Sequence, residues 1–382
     1  MKELGLYIHI PFCKQKCYYC DFVSYAKNEK FFERYIEALL EEMNNFFDNN
    51  DVEIKTIYIG GGTPSIIDAK YIEKIMNFFK EKDLLKKTKE ITIEVNPGTV
   101  DEEKIKCYKK AGINRLSIGL QSTDDNMLKK IGRIHCYKDF LNTYKFAKEA
   151  GFDNINVDIM IGLPKQKISD VKNTLEKIIN LESEPPKHIS VYSLIVEENT
   201  PIEKMINEGT LELPNEENER NMYWYVKNFL ELNGYNHYEI SNFAKDGYES
   251  IHNSDCWKQK EYIGFGVAAH SFIDDVRFGN TSNLDEYLRN CENKDFEDNR
   301  IIDEVEKDLF SKEQEFMLVG LRMIDGVSIQ EFKNKFGENP IFVFKSELSK
   351  LVEDGLLMVD FDRIKLTNRG LDLANLVWEE FV

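Results

Sequence analysis

The sequence predicts an α/β protein: an incomplete, TIM-like (β/α)6 barrel followed by a smaller, winged-helix-like α+β domain. Three observations lead there. Short runs rich in Ile, Val and Leu alternate with longer stretches of helical periodicity, the pattern of βα units and a parallel sheet. Residues able to do chemistry cluster just after those runs, at the C-terminal strand ends where such a barrel keeps its site. The chain then closes on helical stretches and a short hairpin pattern.

The elements follow in order. Leu4–Ile10 is the first strand, and a Cys-bearing loop follows it. A helical pattern runs from about 28 to 47. Further strands are expected at Ile54–Ile59, Ile91–Val95, Arg115–Leu120, Ile155–Ile161 and His188–Leu194, with helices near 68–81, 101–111, 137–150 and 168–181. Residues 1–235 are thus assigned to the barrel core, within which 202–233 is charged and helical and reads as a lid or connector. Residues 236–307 read as a barrel extension, aromatic-rich at first, then an acidic solvated linker over 282–310. Residues 308–382 form the last domain, a lid or docking unit with a hairpin at Leu356–Phe361 and Ile364–Leu366.

Charge and composition exclude several classes. The 382 residues carry 50 Lys+Arg against 68 Asp+Glu, a formal charge of -18 that repels phosphate backbones and argues against nucleic acid as a partner. The C-terminal domain resembles a DNA-binding fold in pattern only, because it too is acidic. No apolar run reaches the ~18 residues of a membrane span, which leaves peripheral membrane contact open. The start, MKELGLYIHIPFC, shows no long apolar h-region or small-residue cleavage site, which argues against export, and seven Cys in such a length do not suggest a disulfide scaffold. The expected compartment is the cytoplasm.

Three of the seven Cys stand together as Cys13-Lys-Gln-Lys-Cys17-Tyr-Tyr-Cys20. Structural zinc wants four ligands, and no second Cys or His pair lies nearby. Three thiolates on a tight loop suit an Fe–S cube with one iron left open for a small molecule. Gly60-Gly61-Gly62-Thr63-Pro64 follows the second strand, and glycines there let backbone N–H and C=O groups approach a ligand. Glu94 and Asp158 lie in later strands, where a buried carboxylate needs a partner such as an ammonium or a ribose hydroxyl. Gln121 closes the fourth strand, and Arg133 in Ile-Gly-Arg-Ile could neutralise a carboxylate. His9 and His270 read as packing residues, and Cys107, Cys136 and Cys291 as isolated thiols.

CxxxCxxC resembles the cluster motif of the radical S-adenosylmethionine (SAM) superfamily. That resemblance implies a radical SAM barrel, a [4Fe–4S] cluster on Cys13, Cys17 and Cys20, and reductive cleavage of SAM to a 5′-deoxyadenosyl radical. Tyr7-Ile-His9-Ile-Pro11-Phe12-Cys13, Gly-Gly-Gly-Thr-Pro, Glu94-x-Asn96-Pro97 and Ile118-Gly-Leu-Gln121-Ser resemble the oxygen-independent coproporphyrinogen III oxidase family across almost the whole chain. By that resemblance, Tyr7, Tyr19, Gly61, Gly62, Thr63, Glu94, Gln121, Arg133 and Asp158 bind SAM.

Two departures move the reading within the family. The oxidases have a longer N-terminal arm and a fourth Cys two residues after the third; here that position is Phe22. Cys20-Asp-Phe22 looks like the haem chaperone branch, HemW, which carries an H-N-x-x-Y-W signature linked to haem. The counterpart here is His252-Asn253-Ser254-Asp255-Cys256-Trp257, with Cys256 where the family has Tyr. His is a common haem-iron ligand, a Trp ring can stack on the macrocycle, and Cys256 is itself a candidate thiolate. The branch implies haem as cargo, haem-accepting proteins such as respiratory cytochromes as partners, and reduced flavodoxin or ferredoxin as electron donor. Coproporphyrinogen oxidase activity is expected to be absent. The competing readings are that oxidase activity and a haem-degrading radical SAM methyltransferase.

Overall fold

The computed structural model describes residues 2–302 and 308–382. Six parallel strands form its centre: β1 (Lys2–Ile10), β2 (Val52–Gly61), β3 (Glu90–Val95), β4 (Arg115–Gln121), β5 (Asn154–Ile161) and β6 (His188–Ser193). They lie side by side in sequence order, as right-handed βα crossovers dictate. Helices Phe32–Asn49, Ala69–Glu81, Glu102–Ala111, Tyr137–Glu149 and Ile168–Ile179 connect them. The expected elements are all present.

The sheet runs on beyond the six. Tyr262–Phe265 pairs in parallel with β1, and antiparallel strands extend both edges to give twelve among the described residues. Residues 236–302 therefore build onto the same sheet as the core. The linker expected over 282–310 is corrected at its start: Leu284–Asn293 is a helix that buries Leu284, Tyr287, Leu288 and Cys291. Half-buried Glu42 ties it down, accepting from Tyr287 Oη (2.7 Å), Gly266 N (2.8 Å) and Asn280 Nδ2 (2.6 Å). The rest of that stretch includes residues 303–307, which lie outside the described residues. The 202–233 segment is likewise not a free lid, because helix Glu216–Leu232 packs Met222, Val226 and Leu230 into the main core.

Alternation within the strands sets the character of the barrel. Ile57, Ile59, Ile91, Ile93, Leu116, Ile118, Ile155, Val157, Ile189 and Val191 point outward and join the helices' apolar faces in one core. Their neighbours point inward and are polar: Thr56 and Tyr58, Thr92 and Glu94, Arg115 and Ser117, Asn156 and Asp158, His188 and Ser190. A TIM barrel usually fills its interior with Val, Ile and Leu. This one has a polar lumen.

Residues 309–381 keep a core of their own around Phe316, Phe332, Phe344, Leu351 and Ile364. A three-stranded sheet (Val327–Ser328, Arg363–Leu366, Leu357–Val359) packs with short helices, the winged-helix-like arrangement expected. Arg322 docks this unit onto the barrel: it pairs with fully buried Glu239 at 2.9 Å and lies over the rings of Trp257 (4.4 Å) and Trp378 (5.7 Å).

Candidate functional site

The Cys loop leaves β1 at the C-terminal end of the barrel. Phe12–Cys13 pairs with Tyr25–Ala26, which pins both ends of the loop. Its middle is held by Tyr18 N donating to Ile131 O (3.0 Å) and Ile202 N donating to Tyr18 O (3.0 Å). Cys13 is buried, while Cys17 and Cys20 are half-buried and unbridged. Burial raises the Cys13 thiol and pushes Cys20 up to about 11, and each of the two also feels the charge of Cys17. Among the described residues no three Cys, His, Asp or Glu side chains are gathered tightly enough to hold a metal ion unaided.

One chain of hydrogen bonds joins this loop to the strand ends. Thr63 Oγ1 donates to Cys13 Sγ (3.4 Å), Asn96 Nδ2 to Thr63 Oγ1 (2.9 Å), and Arg133 Nη2 to Asn96 Oδ1 (2.9 Å). Arg133 Nη1 returns to Cys17 Sγ at 3.5 Å, while its Nε is buried without a partner. A guanidinium and a hydroxyl aimed at two of the three sulfurs stabilise thiolates, so the donor set fits an Fe–S cluster. Gly62 is forced here: a Cβ would stand 2.8 Å from Phe12 O and 3.1 Å from Cys13 Sγ. Gly61, at φ +113°, would drive one into the His9 ring. Both glycines thus serve close packing under the loop as well as any ligand.

Glu94 sits beside them. Its carboxylate accepts from Gly61 N (3.1 Å) and Tyr58 Oη (2.9 Å), and burial holds its pKa up at about 7. Tyr7 stacks on Tyr58 at 6.3 Å and bonds His9 Nδ1 at 2.9 Å. Asp158 accepts from Asn156 (2.7 Å) and Ser117 (3.3 Å), and burial raises its pKa too. Gln121 is held at φ +69° where the β4–β5 register shifts, a strained conformation characteristic of working sites. Tyr19 packs in an apolar cluster with Met127, Leu163 and Ile202. The predicted SAM residues therefore share one end of the barrel, with carboxylates for a cationic ligand and Arg133 for an anionic one. Sequence reasoning missed Asn96 as the link between Thr63 and Arg133. It also missed Gly119, where a Cβ would come within 2.7 Å of Arg133 Nη2.

The His252 segment lies at the opposite end. It is a short helix, Ile251–Trp257, whose first turn is capped by buried Glu90, the first residue of β3. Glu90 accepts from Ile251 N (2.9 Å), His252 N (3.1 Å) and Ser250 Oγ (3.3 Å). His252 plugs the lumen floor at 5% exposure. Its Nδ1 meets Thr56 Oγ1 at 2.8 Å and its ring stacks on Tyr58 at 5.3 Å, while burial lowers its pKa to about 4. Nε2 makes no hydrogen bond among the described residues, so the neutral ring is held through Nδ1 alone. Asn253 N caps onto Ser250 Oγ (3.3 Å), Cys256 is raised to about 12 by burial, and Trp257 lies beneath Arg322 with its Nε1 unpartnered.

Comparisons with known proteins give the family. Residues 7–178 match the profile of the Radical SAM superfamily, which uses a [4Fe–4S] cluster and SAM, and 314–373 match the HemN C-terminal domain. The chain is 37% identical to heme chaperone HemW of Lactococcus lactis subsp. lactis, over 100% of this chain and 98% of that one. It is 38% identical to heme chaperone HemW of Bacillus subtilis, over 98% of each. Coproporphyrinogen III oxidase (HemN) from Escherichia coli has the same fold, with TM-score 0.82 at 22% identity over 100% of this chain and 90% of that one. With relatives of this identity along its whole length, the chain belongs to the heme chaperone HemW family of the radical SAM superfamily.

Proposed function

We propose that this protein binds haem and delivers it to haem-accepting proteins, with the radical SAM site driving or regulating transfer. The observation that carries this reading is the full-length identity to proteins named heme chaperone HemW. Cys13, Cys17 and Cys20 would hold the cluster, Glu94 and Asp158 a cationic part of SAM, and Arg133 its carboxylate. Bound there, cluster and SAM supply one-electron cleavage chemistry; the chain's own residues place the reactants and keep water out. Reduced flavodoxin or ferredoxin is the proposed donor, respiratory cytochromes are proposed acceptors, and the cytoplasm is the proposed compartment.

Haem would be met by His252 and Trp257, with Asn253 and Cys256 beside them. His252 is 5% exposed in its Glu90-capped helix, so haem loading requires this end of the barrel to open. Phe22, 64% exposed beside Cys20, supports the chaperone reading over the oxidase, which has a Cys there. The test is to titrate the anaerobically reconstituted protein with haem and then assay it with coproporphyrinogen III. Stoichiometric haem binding and no decarboxylation above the no-enzyme control are expected. Robust SAM-dependent protoporphyrinogen formation would assign the oxidase instead.

A further inference from the structure

Arg115 opens β4 and is 1% exposed inside the lumen. Its Nε has no hydrogen-bond partner, and among the described residues no carboxylate forms an ion pair with its guanidinium. A buried cation that closes no ion pair is expensive, because its desolvation is only partly repaid. Its charge acts on Tyr58, His252, His188, Tyr238 and Asp158; the two histidines are held neutral by burial, and the Asp158 carboxylate closes no ion pair with it. Asp158 spends its oxygens on Asn156 and Ser117.

Thr92, the β3 residue in register with Arg115, also has a buried hydroxyl without a partner. Two adjacent unsatisfied donors thus meet at the lumen floor.

We infer that Arg115, with Thr92, receives a ligand carboxylate at the lumen floor. Guanidinium and carboxylate match in charge and in bidentate geometry. Because Arg115 lies within electrostatic reach of His252, the carboxylate can be a propionate arm of haem seated at His252, a case that rests on the proposed haem function. It can also be a free small carboxylate that enters the lumen.

The experiment uses the full, anaerobically reconstituted chain, as wild type and as Arg115→Gln. Haem and haem dimethyl ester are titrated into both, and thermal unfolding is followed in sodium propionate against sodium chloride at equal ionic strength. If haem supplies the carboxylate, wild type binds haem about tenfold or more tighter than the ester, and the gap vanishes in Arg115→Gln. If the source is a small carboxylate, haem and ester bind alike while propionate raises the melting temperature of wild type only. No ester discrimination and no propionate effect in wild type overturns the inference without needing a variant. A gap that persists in Arg115→Gln overturns it as well. Wild type that binds neither haem nor ester refutes the proposed function instead, and the propionate arm then decides the Arg115 site alone.

Discussion

The two ends of the barrel are built on opposite plans. At the C-terminal strand ends, Cys17 and Cys20 are half-exposed, glycines bring backbone against sulfur, and Gln121 is held at positive φ. At the floor, His252 is neutral, 5% exposed and locked by Thr56 and by the Glu90 cap. One end presents its ligands and the other withholds them. The same polar lumen joins the two, since Tyr58 stacks on His252 and donates to Glu94. A resident cofactor calls for the first arrangement, and a cargo that must be taken and released is better served by the second.

The contrast predicts effects of very different size. Cys17→Ser should take iron from about four per chain to near none, because a hydroxyl is a poor ligand for Fe–S iron. Cys291→Ser, at a buried thiol that accepts from Asn299, should leave iron and sulfide unchanged. Equal metal content in the two variants would remove the distinction between the loop and the other thiols.

Next come the carboxylates. Glu94→Ala or Asp158→Ala should weaken SAM by about 10–150-fold in calorimetry with the cluster intact, the worth of a buried hydrogen bond to a charged group. Unchanged affinity in both would move the SAM site elsewhere.

A smaller, signed effect follows from Glu94. With its pKa near 7, the carboxyl is neutral below that pH and gains its charge above it. SAM should bind about tenfold more weakly at pH 6 than at pH 8, and Glu94→Gln should flatten that profile.

The floor also loses as the pH falls, in stability rather than SAM affinity, and more weakly. His252 titrates near 4 when folded and near 6.5 when unfolded, so its penalty is absent above 6.5 and grows as the pH falls toward 4. His9, His135 and His237 behave alike, so a His252→Asn chain should lose somewhat less stability than wild type between pH 7 and 5 in urea titrations. An identical loss would mean that His252 is not held neutral.

Much of the cluster end was legible because its signals are local. CxxxCxxC, the glycine run and the strand-end carboxylates each stand within a few residues, and the fold brings them to one end. The floor was not legible in that way. Thr56, Glu90, Arg115 and His252 come from four distant elements, and only pairing places them together. Part of the signal was nonetheless present: Glu90-Ile-Thr-Ile-Glu94 and Arg115-Leu-Ser-Ile-Gly119 alternate strictly, and their polar members mark a wet lumen. Tyr262–Phe265 gave no strand signal because it is four residues long and its partner is β1. Helix Leu284–Asn293 was hidden by its acidic composition, although Leu284, Tyr287, Leu288 and Cys291 keep helical spacing.

The central claim is that haem and SAM occupy opposite ends of one barrel. It is tested most directly by titrating His252→Ala with haem while measuring cluster iron and SAM affinity in the same preparation. A shifted Soret band or weaker haem binding is expected, with iron content and SAM affinity unchanged. Haem spectra and affinity identical to wild type would contradict it.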